Sequence, residues 1–217
     1  MKTIVITSQK GGSGKTMLAA HLAVEAERTA DAPAWLIDTD RQATLTLWHE
    51  RRKAETPARG TVTPAQIRNG LAILANGGAS YCFIDTAPTI SDQTAALVRH
   101  ADLVIIPVRP SPSDLWAVGE TVEMVKKAGK PFLFVITQAK PQASITAQAV
   151  AALSEHGRVA QPFVGDRVVY ASAMTSGQTA PEITPRGPAA VEIADLWKAI
   201  KKCFIESKKS ERKAANG

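Results

Sequence analysis

Short apolar runs recur along the chain, separated by longer stretches whose apolar residues return every three or four positions. The runs Thr3–Thr7, Ala34–Asp38, Tyr81–Asp85, Leu103–Val108 and Phe132–Thr137 have the length of strands. The interior ones are rich in Val, Ile, Leu and Phe, as strands covered on both faces of a parallel sheet are. Between them, helical periodicity covers Lys15–Thr29, Ala43–Arg52, Pro64–Ala75, Ser91–Arg99, Ser113–Ala128 and Ser144–His156. This alternation predicts an α/β fold, a doubly wound, mostly parallel sheet with helices on both faces. Ligands of such sheets bind beyond the carboxyl ends of the strands.

Local punctuation agrees with the pattern. Pro64 stands where a helix would start, with Thr63 as its N-cap. Gly129 followed by Lys130-Pro131 closes a helix before the next strand. Ala54–Thr63 reads as a surface loop. No internal repeat or linker divides the chain, so residues 1–208 are expected as one domain and 209–217 as a polar, frayed tail. The last helix carries Leu196, Trp197, Ile200, Cys203 and Phe204 at helical spacing, flanked by Lys198, Lys201 and Lys202. That stripe suits packing on the sheet better than membrane contact, although a membrane-surface helix has the same signature.

The chemistry begins where the first strand ends. Thr7-Ser8-Gln9-Lys10-Gly11-Gly12-Ser13-Gly14-Lys15-Thr16 links that strand to a helix. Glycines let the backbone curl so that successive N–H groups point at phosphate oxygens, and the helix N-terminus adds partial positive charge. In such a loop Lys15 reaches the β- and γ-phosphates and the Thr16 hydroxyl binds Mg2+. The ordinary spacing asks for glycine five positions before Gly14, where Gln9 stands; a second lysine, Lys10, follows it. Asp38 and Asp40 close the second strand, and Asp85 closes the third. An Asp-x-Asp alone is more often a turn or a cap. Three strand ends bearing phosphate and Mg2+ chemistry mean more together, because a parallel sheet gathers them at one edge.

Composition narrows the field. The 217 residues are 45% hydrophobic and 21% charged, typical of a folded chain and not of a disordered one. Cys82 and Cys203 are far apart and form neither a disulfide framework nor a metal-binding pair, which suits a reducing cytoplasm. No signal peptide and no membrane-spanning stretch is evident. The net charge is +6, and the stretch from Arg186 onward holds eight basic residues against four acidic ones. A polyanion such as nucleic acid fits that bias, and so does ordinary surface charge.

These motifs resemble those of the ParA/MinD group of deviant-Walker ATPases, most closely the short ParA-type partition ATPases, over roughly Lys2 to Ile200. Lys10–Thr16 is similar to the deviant Walker A loop, Asp38–Ala43 to the Asp-x-Asp-Pro-Gln segment, and Ile84–Pro88 to the Walker B segment. Ala101–Val108, Pro110–Ala117 and Arg167–Thr179 also read like the family. The resemblance implies a slow ATPase that binds ATP or ADP with Mg2+ and forms a nucleotide-sandwich homodimer with ATP. Lys10, Gly11, Gly12, Ser13, Gly14, Lys15, Thr16 and Met17 would then contact nucleotide. Lys10 would reach the partner subunit's phosphates, Asp40 would position the attacking water, and Thr16, Asp38 and Asp85 would hold Mg2+. Arg41 replaces the family proline, and Gln138 stands where an asparagine often lies near the base, so the adenine contacts are unassigned.

The resemblance leaves several jobs open. The early loop argues against a preceding helix-turn-helix domain, the cysteine positions against a bridging iron–sulfur cluster, and the two tyrosines, Tyr81 and Tyr170, against a tyrosine-kinase tail. The leading expectation is an ATP-dependent, cytoplasmic, nucleoid-associated dimer. It would bind DNA non-specifically and partition plasmid or chromosome DNA through a ParB-like or centromere-binding adaptor that stimulates hydrolysis. Arg167, Arg186, Lys201, Lys202, Lys208 and Lys209 are the candidate DNA contacts. The alternatives are a MinD-like membrane-associated positioner, a positioner of a protein assembly, and a small-molecule ATP-dependent ligase.

Overall fold

The computed structural model describes the backbone of residues 1–140 and 142–215 and the side chains of 1–140 and 142–206. Six parallel strands form one sheet: β1 (Lys2–Ile6), β2 (Ala34–Asp38), β3 (Ala58–Gly60), β4 (Tyr81–Asp85), β5 (Leu103–Val108) and β6 (Phe132–Ile136). Their order is β3-β2-β4-β1-β5-β6. The helices are α1 (Lys15–Arg28), α2 (Thr44–Arg51), α3 (Ile67–Asn76), α4 (Asp92–Val98), α5 (Pro112–Lys127), α6 (Ser144–Ser154), α7 (Val168–Thr175), α8 (Ala180–Ile183) and α9 (Pro188–Ala215).

Strand alternation divides the core between the two faces of the sheet. Ile4, Ile6, Leu103, Ile105, Leu133 and Val135 join a cluster with residues of α1, α7, α8 and α9. Val5, Val104, Ile106, Phe134 and Ile136 turn the other way, toward α3, α4, α5 and α6. Every second strand residue serves one face, and both faces are apolar, which is why these runs show no alternating polar positions.

The stripe on α9 packs as expected for a helix laid on the sheet. Leu196, Trp197, Ile200 and Phe204 are buried in the first cluster, with Cys203 packed against it. The Trp197 indole N–H donates to Asp31 Oδ2 at 2.9 Å, so the buried ring keeps its polar handle satisfied. The membrane-surface alternative therefore loses its apolar face. Among the described residues, no helix is long and apolar enough to cross a membrane.

One local expectation is corrected and another refined. Ala58–Gly60, expected within a surface loop, pairs as a short parallel edge strand with β2, through Trp35↔Ala58 and Ile37↔Gly60. Its three residues, Ala58-Arg59-Gly60, are too few to show a strand period. Thr63 holds the N-cap position before Pro64 as expected, but of a 3-10 turn, Pro64–Gln66, and its hydroxyl donates to Gln66 Oε1 at 3.0 Å rather than accepting a backbone N–H. The segment from Val168 to Ile183 holds two helices, α7 and α8, that the periodicity left unassigned. The expected tail falls partly on α9 and partly outside the described residues.

Candidate nucleotide site

The Lys10–Thr16 loop is shaped by its glycines and braced from behind. Gly12 and Gly14 take φ of 72° and 94°, a region that costs a residue with a Cβ about 1–2 kcal/mol. A Cβ on Gly14 would in addition stand 3.4 Å from Thr137 Cγ2. Thr137 Oγ1 donates to the Ser13 carbonyl at 2.8 Å, and Gln138 Nε2 to the Gly12 carbonyl at 2.9 Å. Gln138 itself sits at φ 50° to make this reach. The position flagged for its missing asparagine thus clamps the loop from the end of β6.

Lys15 is buried, and its Nζ donates to the Lys10 carbonyl at 3.2 Å. Burial lowers its pKa, while Asp85 and Asp40 oppose that shift. A desolvated cation held beside carboxylates is stabilised further by any phosphate that enters. The Lys10 side chain is half-buried and makes no ion pair among the described residues; Gly11 is exposed. Met17 packs partly against the core, and its carbonyl faces His21 Nδ1 at 2.8 Å.

The acidic flank lies on the β4–β2 side of the loop. Parallel register sets Asp85 beside Ile6 and Asp38 beside Asp85. Thr16 Oγ1 donates to Asp85 Oδ2 at 2.6 Å, joining the loop to the strand end. Asp85 is 1% exposed and its Oδ1 has no hydrogen-bond partner. Burial pushes its pKa up to about 7; Asp38 raises it, and the Thr16 hydrogen bond and Lys15 pull it down. Asp38 Oδ1 accepts from the Asp40 N–H at 3.1 Å, and Oδ2 accepts from the Thr46 N–H at 2.8 Å in the first turn of α2. Asp40 Oδ1 accepts from the Gln42 N–H at 3.0 Å.

These oxygens fit Mg2+. A threonine hydroxyl and two carboxylates form a hard donor set, and an orphaned buried carboxylate oxygen marks where positive charge is wanted. Among the described residues no group of three or more His, Cys, Asp or Glu forms a self-sufficient metal cage. Mg2+ is usually bound through one or two carboxylates together with phosphates and water, and the hydroxyl and carboxylates here have that composition.

A cavity of about 320 Å3 beyond β6 is lined by Ala139, Lys140, Ala143, Gly165, Asp166 and Arg167. A neighbouring hollow of about 450 Å3 shares Lys140 and Asp166 and reaches Arg109 and Gln138. Sequence reasoning did not find this wall, because it forms only when Ala139 bridges Gly165, far apart in the chain. Gln138 was the one signal pointing there.

Three of the candidate DNA contacts lie beside carboxylates. Arg167 donates to Glu192 Oε1 at 2.9 and 2.6 Å, and Glu192 also accepts from Tyr170 OH at 2.8 Å. Lys201 pairs with Asp31 at 2.8 Å, and Lys202 lies 4.0 Å from Glu206. Arg186 is exposed and makes no ion pair among the described residues. Lys208 and Lys209 lie outside the residues whose side chains are described.

Residues 4–180 match the model of the CobQ/CobB/MinD/ParA nucleotide-binding domain. The chain is 29% identical over 199 residues to the "Maintenance of carboxysome distribution protein A" of Halothiobacillus neapolitanus, covering 88% of this chain and 91% of that protein. Its fold is similar to that of an ATP complex of a Cyanothece McdA variant, with TM-score 0.70 and 22% identity over 93% of this chain and 95% of that one. It is similar also to the septum site-determining protein MinD complexed with Mg-ADP from Pyrococcus horikoshii, with TM-score 0.73 and 18% identity over 93% and 96%. The family match spans most of the chain, and the similar structures share its fold: the chain belongs to the CobQ/CobB/MinD/ParA family of nucleotide-binding domains.

Proposed function

We propose that the chain is an ATP-hydrolysing dimeric switch that positions a large protein assembly. The observation that carries the switch is the gathering of Lys10, Lys15, Thr16, Asp38, Asp40 and Asp85 at one sheet edge, with Thr16 already bonded to Asp85. The loop amides and Lys15 hold the phosphates. Thr16, Asp38 and Asp85 would hold Mg2+, which would supply positive charge beside the phosphates. Asp40 orients the attacking water. Lys10, free of any described ion pair, reaches the partner protomer's phosphates and neutralises charge that develops in transfer. The cavity beside Lys140 and Asp166 takes the nucleoside end.

Kinship supports this choice of cargo: a relative named for carboxysome distribution matches 88% of the chain. That favours a protein assembly over plasmid or chromosome DNA, the leading expectation of the sequence alone. The pairing of Arg167 and Lys201 with carboxylates weakens the case for those two as DNA contacts. In this reading DNA is the surface on which the dimer is carried, and an adaptor protein stimulates hydrolysis.

The switch is tested by ATP-dependent dimerisation and phosphate release. Asp40→Ala is expected to dimerise with ATP and hydrolyse poorly, and Lys10→Ala to lose hydrolysis; normal turnover by both variants would refute the assigned roles. The cargo is tested by deleting the gene and imaging. Assemblies that cluster while plasmids are retained support the reading, and plasmid loss with evenly spaced assemblies overturns it.

A further inference from the structure

Arg109 follows β5, which neighbours β1, so it stands at the same sheet edge as the loop but on the flank opposite Asp38 and Asp85. Its guanidinium is fixed by Asp114 in the first turn of α5. Nε lies 3.1 Å from Oδ2 and 3.3 Å from Oδ1, and Nη2 lies 3.0 Å from Oδ2. Asp114 is 3% exposed and is itself held by Ser111, whose hydroxyl donates to Oδ2 at 2.6 Å. Nε and Nη2, one edge of the guanidinium fork, are thereby spent on one buried carboxylate.

The remaining nitrogen, Nη1, has no hydrogen-bond partner among the described residues. It faces the loop: a Cβ on Gly12 would lie 3.6 Å from Nη1 and meet nothing else within 4 Å. Gln138 clamps the carbonyl of the same Gly12, and the hollow bounded by Arg109 and Gln138 continues to Lys140 and Asp166. A fixed cation with a free donor edge, beside a phosphate loop and between that loop and the nucleoside cavity, is placed for an anion at that junction.

We propose that Arg109, positioned by Asp114, donates through Nη1 to a phosphate near the nucleoside end of the bound nucleotide. The inference rests on the reading that the Lys10–Thr16 loop holds phosphates and the β6-side cavity holds the nucleoside. The acidic, Mg2+-binding flank attends the terminal phosphate, and Arg109 attends an inner one. Such a contact is common to ADP and ATP, and does not distinguish them.

The test is equilibrium titration of N-methylanthraniloyl-ADP and -ATP with Mg2+ into wild type, Arg109→Gln, Asp114→Asn and Lys15→Ala, with folding checked by circular dichroism and urea midpoint. Arg109→Gln is expected to weaken both nucleotides by the same factor, roughly ten-fold, the worth of one charge-assisted hydrogen bond. Asp114→Asn weakens both by less, since the cation survives without its anchor. If Arg109→Gln does not fold, Arg109→Lys carries the comparison, because an ammonium cannot serve a carboxylate and a phosphate from one planar fork. Unchanged affinity in a folded Arg109 variant overturns the proposal, and so does a loss confined to ATP. If wild type binds, Lys15→Ala does not, and Arg109→Gln binds like wild type, only the Arg109 role falls. If wild type binds neither nucleotide, the nucleotide reading falls with it.

Discussion

Acidification from pH 7 to pH 5 should weaken the fold through one buried imidazole on the loop's own helix. His21 on α1 is fully buried, and its Nε2 accepts the Ala180 N–H at 2.9 Å at the start of α8. That places the proton on Nδ1, which donates to the Met17 carbonyl at 2.8 Å. Protonating Nε2 would set one N–H against another and bury an unpaired charge. Burial lowers the His21 pKa from 6.5 to about 4, against the opposing pull of the Met17 carbonyl and of Glu182. Between these two values the unfolded chain binds the proton more readily than the folded one. Stability from this group is therefore complete above pH 6.5 and drains as pH falls toward 4. The full shift is worth about 3 kcal/mol, and roughly 2 kcal/mol of it is lost between pH 7 and pH 5. Asp85 works in the opposite sense: held up at about 7, it keeps a proton that the unfolded carboxyl gives up, so nucleotide-free protein gains from it on acidification. The raw pH profile therefore mixes two opposing slopes. The assay is the difference in urea unfolding free energy between wild type and His21→Gln, measured without nucleotide at both pH values. Wild type should lose about 2 kcal/mol more than the variant on acidification; parallel losses would refute the assignment.

Other expectations concern the same region. Gly177 has φ 71°, and a Cβ there would lie 2.5 Å from the Arg51 carbonyl carbon and 2.6 Å from Arg52 Cα. Gly177→Ala should cost about 3 kcal/mol in urea unfolding, from left-handed strain plus overpacking; a loss under about 1 kcal/mol would show that α2 shifts freely. Arg52 is 4% exposed in its side chain and pairs with Glu182 at 2.7 Å. Arg52→Ala should cost about 3 kcal/mol, and Arg52→Ala with Glu182→Gln distinctly less than the sum of the single losses, in the same assay. The Cys82 thiol is buried in β4 and pushed up to about 12 by burial. It should resist a colorimetric disulfide reagent in the native protein and react once urea unfolds it; prompt native labelling of Cys82, read by peptide mapping, would contradict its burial.

What could be read from the sequence was whatever is local or repeats. The five longer strands, their parallel arrangement and the placement of Lys10–Thr16, Asp38, Asp40 and Asp85 at one edge follow from runs and short motifs, because parallel strands end together on one side of the sheet. β3 was hidden because three residues give no period. The β6-side cavity was hidden because its walls come from chain segments more than twenty residues apart, joined by the Ala139–Gly165 bridge. The candidate DNA contacts were chosen by charge alone. Charge in a sequence does not reveal the carboxylate folded against it, as Glu192 is against Arg167 and Asp31 against Lys201.

The Asp38–Asp40 turn shows how a departure from the family pattern is absorbed. A proline after Asp40 would fix the local backbone through its ring; Arg41 is exposed and fixes nothing that way. Hydrogen bonds hold the turn instead. Asp38 accepts from the Asp40 and Thr46 amides, Asp40 Oδ1 accepts from Gln42, and the Ala43 N–H donates to the Asp40 carbonyl at 2.9 Å. Asp38 also serves α2 as its N-terminal acceptor, since the residue at the cap position, Ala43, has no side chain to do so. The far end of α2 is held in turn. Trp48 Nε1 donates to the Gln178 carbonyl at 3.0 Å, and Arg52 is gripped by Glu182 and by the Gly177 carbonyl at 3.1 Å. From α8 the chain of contacts returns to α1 through the Ala180 N–H and His21, six residues beyond Lys15. The carboxylate on the acidic flank and the helix that opens at the phosphate loop are thus joined twice, once directly through Asp85 and Thr16 and once around the rim through α2 and α8. A turn without its proline keeps Asp40 in place because both ends of the helix that follows it are tied down.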